Sequence, residues 1–261
     1  MAKGLAGLRV VVTRPETQSE SLYERLCRAG AVPILFPVIT IVPPEPGGAL
    51  DQAIRRLSEY DWIIFTSVNG VQQFRTRLAD ILGISSDQLQ GIPGFNGRVA
   101  AIGPKTAEAL RRSGVAVHAV PSEYRAEAIL DVLGGVQGTR ILLPRADIAR
   151  PELAVGLRER GAVVDEVAAY RTLPATPPPH AFEQLRQGVD VVTFTSSSTV
   201  RHFVALTRDI NYGDPAIACI GPVTAETARQ LGLHVDIVAE EYTVDGLFRA
   251  LEIWKDNLPS N

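Results

Sequence analysis

Small hydroxyl and amide side chains at the openings of helices are the residues of this chain best suited to chemistry. Phe65-Thr66-Ser67-Val68-Asn69-Gly70-Val71 returns as Phe194-Thr195-Ser196-Ser197-Ser198-Thr199-Val200, and Ile102-Gly103-Pro104-Lys105-Thr106-Ala107-Glu108 returns as Ile220-Gly221-Pro222-Val223-Thr224-Ala225-Glu226. Each motif follows an apolar run that reads as a strand and precedes a helical pattern. A helix N-terminus offers N–H groups without intrahelical acceptors and a partial positive charge, so it holds anions without needing a cationic side chain. The openings, with Thr66, Ser67, Thr106, Ser196, Ser198 and Thr224 beside them, therefore suit a polar ligand held at several points. Arg14 and Arg145 follow the first strand of their respective copies, where a guanidinium could grip a carboxylate bidentately, and Lys105 adds a mobile charge. Each residue also has a plainer use: the serines as helix caps, the threonines as backbone partners in a first turn, the arginines as solvated strand ends and Lys105 as a surface charge.

The elements that must position these groups are themselves duplicated. Gly7-Leu8-Arg9-Val10-Val11-Val12-Thr13-Arg14 aligns with Gly138-Thr139-Arg140-Ile141-Leu142-Leu143-Pro144-Arg145, and Glu123-Tyr124 matches Glu241-Tyr242 in a polar turn before a helix. The first copy is longer between its two motifs, an excess that fits a surface loop around Gly83 to Gly97. So long a period excludes a solenoid, whose repeats run about 20–50 residues. Within each copy, Val- and Ile-rich runs alternate with helical patterns, the signature of a helix-covered parallel sheet. Strands are predicted over 8–13, 32–36, 61–66, 98–102 and 116–120, and again over 139–144, 163–167, 190–195, 216–220 and 234–238. Asn69 and Ser198 fall at matching N-cap positions, and Pro104 and Pro222 fall in first helical turns.

A chain of 261 residues with 46% apolar content can bury two cores. Its net charge of -3, without a dense Lys/Arg run, gives no general attraction to nucleic acid. Neither a signal-peptide pattern nor a membrane-length apolar stretch is evident, so a cytoplasmic protein without a membrane partner is expected. Cys27 in a helix and Cys219 in a strand read as small core thiols of a reduced compartment, not a disulfide. His118, His180, His202 and His234 share no ligand spacing, and no metal site is predicted. Two proline-rich stretches, Pro43-Pro44-Glu45-Pro46 and Pro174-Ala175-Thr176-Pro177-Pro178-Pro179, lie after the second strand of each copy, whereas the copy boundary near 135 is a short turn. That placement suggests two crossings between domains, one domain being continuous and the other assembled from both chain ends.

The ordered set Thr13-Arg14-Pro15, Phe65-Thr66-Ser67, Ile102-Gly103-Pro104-Lys105-Thr106-Ala107, Tyr170-Arg171-Thr172, Phe194-Thr195-Ser196 and Ile220-Gly221-Pro222-Val223-Thr224-Ala225 resembles the uroporphyrinogen-III synthase family over nearly the whole chain. Val223 departs from the pattern, since many relatives carry a second threonine there. The resemblance implies two flavodoxin-like α/β domains, 1–38 with 175–261 and 43–170, joined by connectors 39–42 and 171–174 around a deep cleft. It implies a cofactor-independent lyase of tetrapyrrole and heme biosynthesis, and the chain is expected to act as a monomer. Its reaction removes the terminal hydroxyl of hydroxymethylbilane as water and closes the ring with inversion of the last pyrrole, giving uroporphyrinogen III.

Eight carboxylates on such a substrate call for anion contacts at many points, which the carboxyl ends of parallel strands can supply. By the family layout, Tyr170 ends an apolar run at a connector, so its phenol is the candidate catalytic group, hydrogen-bonding the departing hydroxyl. A half-buried tyrosine with its tip in solvent is the plainer reading. Two rivals come from other classes. A non-catalytic two-domain binding protein for a small polyanion remains open. A nucleotide-dependent enzyme is disfavoured because neither G-x-G-x-x-G nor G-x-x-x-x-G-K-[ST] follows a strand.

Overall fold

The computed structural model describes residues 4–122 and 126–258, so the Glu123-Tyr124 turn lies outside the described residues. The chain runs β1 (Arg9–Val12), α1 (Glu16–Arg28), β2 (Val32–Leu35), β3 (Ile39–Val42), α2 (Ala49–Arg55), β4 (Trp62–Phe65), α3 (Val68–Leu82), β5 (Arg98–Ala101), α4 (Pro104–Arg112), α5 (Ala126–Val132), β6 (Arg140–Ala146), α6 (Glu152–Glu159), β7 (Val163–Pro174), α7 (Pro179–Arg186), β8 (Val191–Phe194), α8 (Ser197–Thr207), β9 (Ala216–Cys219), α9 (Pro222–Gln230), β10 (Ile237–Val238) and α10 (Val244–Asp256). It divides into two compact units, Met1–Thr40 with Leu173–Asn261, and Ile41–Thr172. The chain passes between them inside strands β3 and β7, just before each proline-rich stretch.

The first unit carries a parallel sheet in the order β2-β1-β8-β9-β10. Counted within the unit, this is the 2-1-3-4-5 order of flavodoxin-like folds. In the second unit the order is β3-β7-β6-β4-β5. Here β6 and β7 take the places of β1 and β2, while β4 and β5 take those of β8 and β9. Each unit thus combines the front of one copy with the back of the other. The expected strand at 116–120 is only an isolated bridge, Ala100 to Ala119. Conversely, β7 continues past 167 to Pro174 and β3 flanks it, so residues assigned to connectors are strand residues.

Strand residues alternate between two buried layers, as expected for a sheet covered on both faces. In β4, Ile63 and Phe65 enter one cluster while Trp62 and Ile64 enter another. In the first unit, Val11, Val192 and Phe194 face one layer, and Val10, Val12 and Val191 the other. The duplication extends to ring packing: Phe65 meets Phe74 edge-on at 5.3 Å, and Phe194 meets Phe203 edge-on at 5.4 Å.

Gly83 ends α3 in the left-handed conformation, at φ 68°, where a side chain would be strained. The extra loop that follows is tied down by Arg75, whose guanidinium donates to the carbonyls of Leu89 at 2.7 Å and Gly91 at 3.3 Å. Cys219 is buried, which pushes its thiol up to about 12. Cys27, expected in the core, is exposed, because α1 turns Leu22 and Leu26 inward instead. No described helix is long and apolar enough to cross a membrane.

Candidate functional site

Open parallel sheets of this order bind ligands beyond the carboxyl ends of their strands, where the strand order reverses. In the second unit that point lies between β6 and β4, whose pairing ends at Leu142 and Ile63. The first turn of α3 packs there, and a Cβ built on Gly70 would stand 3.1 Å from the Pro144 carbonyl oxygen. Ser67, not Asn69, is the N-cap: its Oγ accepts from the Gly70 amide at 3.0 Å. The shift arises because Ser67 takes extended dihedrals while Val68 already begins the helix. Ser196 likewise caps α8, which moves Ser198 from its expected cap into the first turn.

Tyr170 reaches this opening from β7. Its hydroxyl lies 3.1 Å from Ser67 Oγ and also hydrogen-bonds Asn69, and only 7% of the residue is exposed. Burial pushes the phenol pKa up, and its hydrogen bonds with Ser67 and Asn69 partly counter it. Tyr170 is therefore a neutral phenol through the physiological range, a hydrogen-bond donor and a weak acid. Thr66 sits half-buried beside Ser67, between β4 and the helix.

Arg145 ends the neighbouring strand, but its guanidinium is turned inward. With 4% of the residue exposed, Nη2 donates to the Arg150 carbonyl at 2.8 Å and pairs with Glu166 at 3.0 Å. Its expected grip on a carboxylate is taken up by the chain's own Glu166. Nε remains buried without a hydrogen-bond partner among the described residues. Next along the sheet edge, Gly103, at φ 104°, and Pro104 start α4; Thr106 is nearly buried in its first turn and Lys105 is exposed.

The corresponding edge of the first unit is built differently. Its strands β1 and β8 stay paired through Val12 and Thr193. Thr13 Oγ1 donates to the Thr193 carbonyl and Thr193 Oγ1 to the Val11 carbonyl, each at 2.7 Å. The Ser196 cap is a capping box closed by Thr199, and Ser196 Oγ also meets Ser198 Oγ at 3.1 Å. Thr224 is nearly buried in the first turn of α9. Arg14 leaves β1 half-buried, touching Gln18 Oε1 at 3.4 Å, with Nε buried and unpartnered. No ion pair between Arg14 and a carboxylate forms among the described residues, and burial pushes its pKa down. A half-desolvated cation without a counterion favours an anion beside it.

The structure thus brings Ser67 and Tyr170 into direct contact, and sets Thr66 and Arg145 around the same strand ends. It holds Arg14, Ser196, Ser198 and Thr224 at the matching edge of the other unit. Asn69, as a partner of Tyr170, and Gly70, as the contact with β6, are absent from the site read off the sequence. The mismatch of Asn69-Gly70 with Ser198-Thr199 in the repeat alignment was their only signal. His118, one of the histidines without ligand spacing, accepts the Val99 amide at its Nδ1, a structural use.

Fold and site together define a duplicated α/β protein of two flavodoxin-like units, with hydroxyl-rich helix openings at the strand ends of each. The family model described as "Uroporphyrinogen-III synthase HemD" matches residues 20–249. The chain belongs to the uroporphyrinogen-III synthase family. The uroporphyrinogen-III synthase of Synechococcus elongatus is 36% identical to it, over 96% of each chain. Two solved structures share the fold. A mutant uroporphyrinogen III synthase from Thermus thermophilus aligns with TM-score 0.63 at 24% identity, covering 97% of this chain and 100% of that one. The uroporphyrinogen-III synthetase of Helicobacter pylori aligns with TM-score 0.62 at 16% identity, covering 93% and 97%.

Proposed function

We propose that this protein carries out the family reaction, the dehydrating cyclisation of hydroxymethylbilane to uroporphyrinogen III, mainly by holding the substrate and with one phenol at the leaving group. The observation that carries this reading is the buried, neutral Tyr170 hydroxyl, seated 3.1 Å from Ser67 at the strand-order reversal of its sheet. The substrate's pyrrole nitrogen drives its own ionisation: its lone pair moves in as the terminal C–O bond breaks, and the hydroxyl leaves with a proton as water. Tyr170 donates to that oxygen and holds the water as it forms. The exposed carbon is then attacked by the substituted carbon of the last pyrrole, giving a spiro intermediate. The bond from that carbon to its original methylene bridge breaks, and the freed methylene rejoins at the unsubstituted carbon of the same pyrrole. That carbon loses a proton that balances the one carried off in the water, so that the ring is inverted.

Spontaneous closure joins the unturned ring. The catalyst must therefore favour one geometry, which is a positioning task. The openings of α3, α4, α8 and α9, with Thr66, Ser67, Lys105, Thr106, Ser196, Ser198 and Thr224, supply anion contacts for the carboxylates, and Arg14 supplies a cation with no carboxylate partner among the described residues. Arg145 acts with Glu166 to shape the strand end beside Tyr170. In this reading the chain works as a cytoplasmic monomer without a nucleic-acid partner, consistent with its net charge of -3.

The test supplies hydroxymethylbilane, oxidises the products and separates the isomers. Excess isomer III is expected; isomer I alone overturns the reading in favour of a binding protein. Tyr170→Phe is expected to lower kcat roughly 100-fold while isomer III persists. Complete loss in a folded variant would make Tyr170 an obligatory acid.

A further inference from the structure

Gly70 has no backbone reason to be glycine. It lies in the first turn of α3, and its φ is not among the positive values of the chain. Its reason is space. An added Cβ would stand 3.1 Å from the Pro144 carbonyl oxygen and 3.3 Å from Ser67 Oγ, tighter than most side-chain contacts. The repeat aligns Gly70 with Thr199, which shows what a side chain does at this position. Thr199 Oγ1 donates to the Ser196 carbonyl at 2.7 Å and accepts from the Ser196 amide at 3.3 Å, while Ser196 Oγ accepts from the Thr199 amide at 3.3 Å. The first turn is closed on itself, and Ser196 Oγ has Ser198 Oγ as a further neighbour. At the other opening Gly70 has no side chain to close the turn over Ser67. Its hydroxyl keeps one contact for the Gly70 amide and one for the Tyr170 phenol.

We propose that Gly70 is a positioning residue for ring closure: its missing side chain lets α3 approach β6 and leaves Ser67, with Asn69, open to hold the Tyr170 hydroxyl, where Thr199 closes the equivalent turn. The proposal rests on the reading of Tyr170 given above. Gly70 acts through Tyr170 and touches no substrate, so its effect appears in turnover and not in binding. A threonine at this position rebuilds the capping box of the other unit and crowds the phenol out of place. A displacement of this kind costs rate steeply when the reacting atoms must be held near attack distance.

Gly70→Thr, Tyr170→Phe and the double variant are compared with the unaltered protein by kcat, KM and isomer ratio. Tyrosine labelled with 13C at Cζ reports the phenol, its Tyr170 signal being identified by loss in Tyr170→Phe. Gly70→Thr is expected to lower kcat about tenfold with KM changed less than about twofold, and to shift the Tyr170 signal. In the double variant kcat should equal that of Tyr170→Phe, since the glycine then has nothing left to position. If Gly70→Thr does not fold, Gly70→Ala carries the same test with an expected loss of about threefold and the same non-additivity. Wild-type kcat and an unmoved Tyr170 signal in a folded Gly70 variant overturn the proposal alone, as does a further, additive loss in the double variant. Wild-type kcat in Tyr170→Phe overturns the reading of Tyr170 and the proposal with it.

Discussion

The helix openings after β4 and β8 begin with the same Phe-Thr-Ser and the same serine cap, yet they differ in what surrounds that cap. After β8, the Ser196 hydroxyl lies inside a closed turn with Thr199 and Ser198, and the strands below are stitched by Thr13 and Thr193. After β4, Pro144 and Ile64 occupy the places of Thr13 and Thr193, so no side-chain hydroxyl bridges the strands and their pairing ends one step earlier. The space admits the first turn of α3, and Tyr170 enters beside it. One edge is closed by its own hydroxyls, and the other leaves Ser67 in contact with the phenol proposed above to meet the leaving group. The duplicated pattern gives two like edges, and a few residue differences set their hydrogen bonding apart.

The comparison can be stressed first through the cores. Phe203 packs edge-on against Phe36, Phe194 and Tyr212, whereas among the described residues Phe74 meets only Phe65 in this way. Phe203→Ala is expected to cost about 4–5 kcal/mol and Phe74→Ala about 3–4 kcal/mol, measured by denaturant unfolding with a fluorescence probe in each unit. Equal losses would show that the extra aromatic neighbours add little.

The next largest effect concerns the helix corresponding to α8. In α3, Arg77 forms a bidentate pair with the buried Asp51 of α2, at a position where α8 carries the partly buried Leu206. Asp51→Asn should cost about 3 kcal/mol by leaving Arg77 poorly paired. The Arg77 hydrogen bond holds the Asp51 carboxyl below its ordinary value of 3.8. A depressed pKa contributes stability that is complete above about pH 5 and lost as pH falls through the folded-state value. Acid unfolding monitored between about pH 5 and pH 2 should therefore destabilise the second unit through this pair, and Asp51→Asn should flatten that dependence.

Smaller, and closest to the central contrast, are the two caps. Ser67→Ala and Ser196→Ala should each cost about 1 kcal/mol in thermal unfolding. Their kinetics should part: Ser67→Ala lowers kcat because Tyr170 loses a partner, and Ser196→Ala raises KM because a carboxylate contact is lost. Identical kinetic effects would dissolve the distinction between a working edge and a holding edge. Thr193→Val, confined to stability, is expected to cost about as much as a cap, about 1 kcal/mol, by removing one of the two crossed hydroxyl bonds, with kcat unaltered.

Duplication, the parallel α/β class and the hydroxyl-rich helix openings follow from local pattern. Val- and Ile-rich runs such as Val10-Val11-Val12 and Trp62-Ile63-Ile64-Phe65 can be satisfied only by burial on both faces, and Gly-Pro after a strand starts a helix wherever it occurs. Which serine caps was less visible, because Ser67 and Asn69 are both competent caps and the choice depends on where helical dihedrals begin. The strand character of 39–42 and 168–174 was hidden for a similar reason: these short runs have no strong alternation and become strands by pairing with one another and with β6.

The sequence by itself determined that two like edges exist and that Tyr170 has no partner in the repeat, since its counterpart falls near Ile39. Only the tertiary structure decided that Arg145 turns inward to Glu166 while Arg14 pairs with no carboxylate among the described residues. It alone set Tyr170 against Ser67 and gave Gly70 its reason. The cause is physical: composition and spacing fix what a segment can form, but the partner of a buried charge or hydroxyl is whichever group the fold brings within about 3 Å of it.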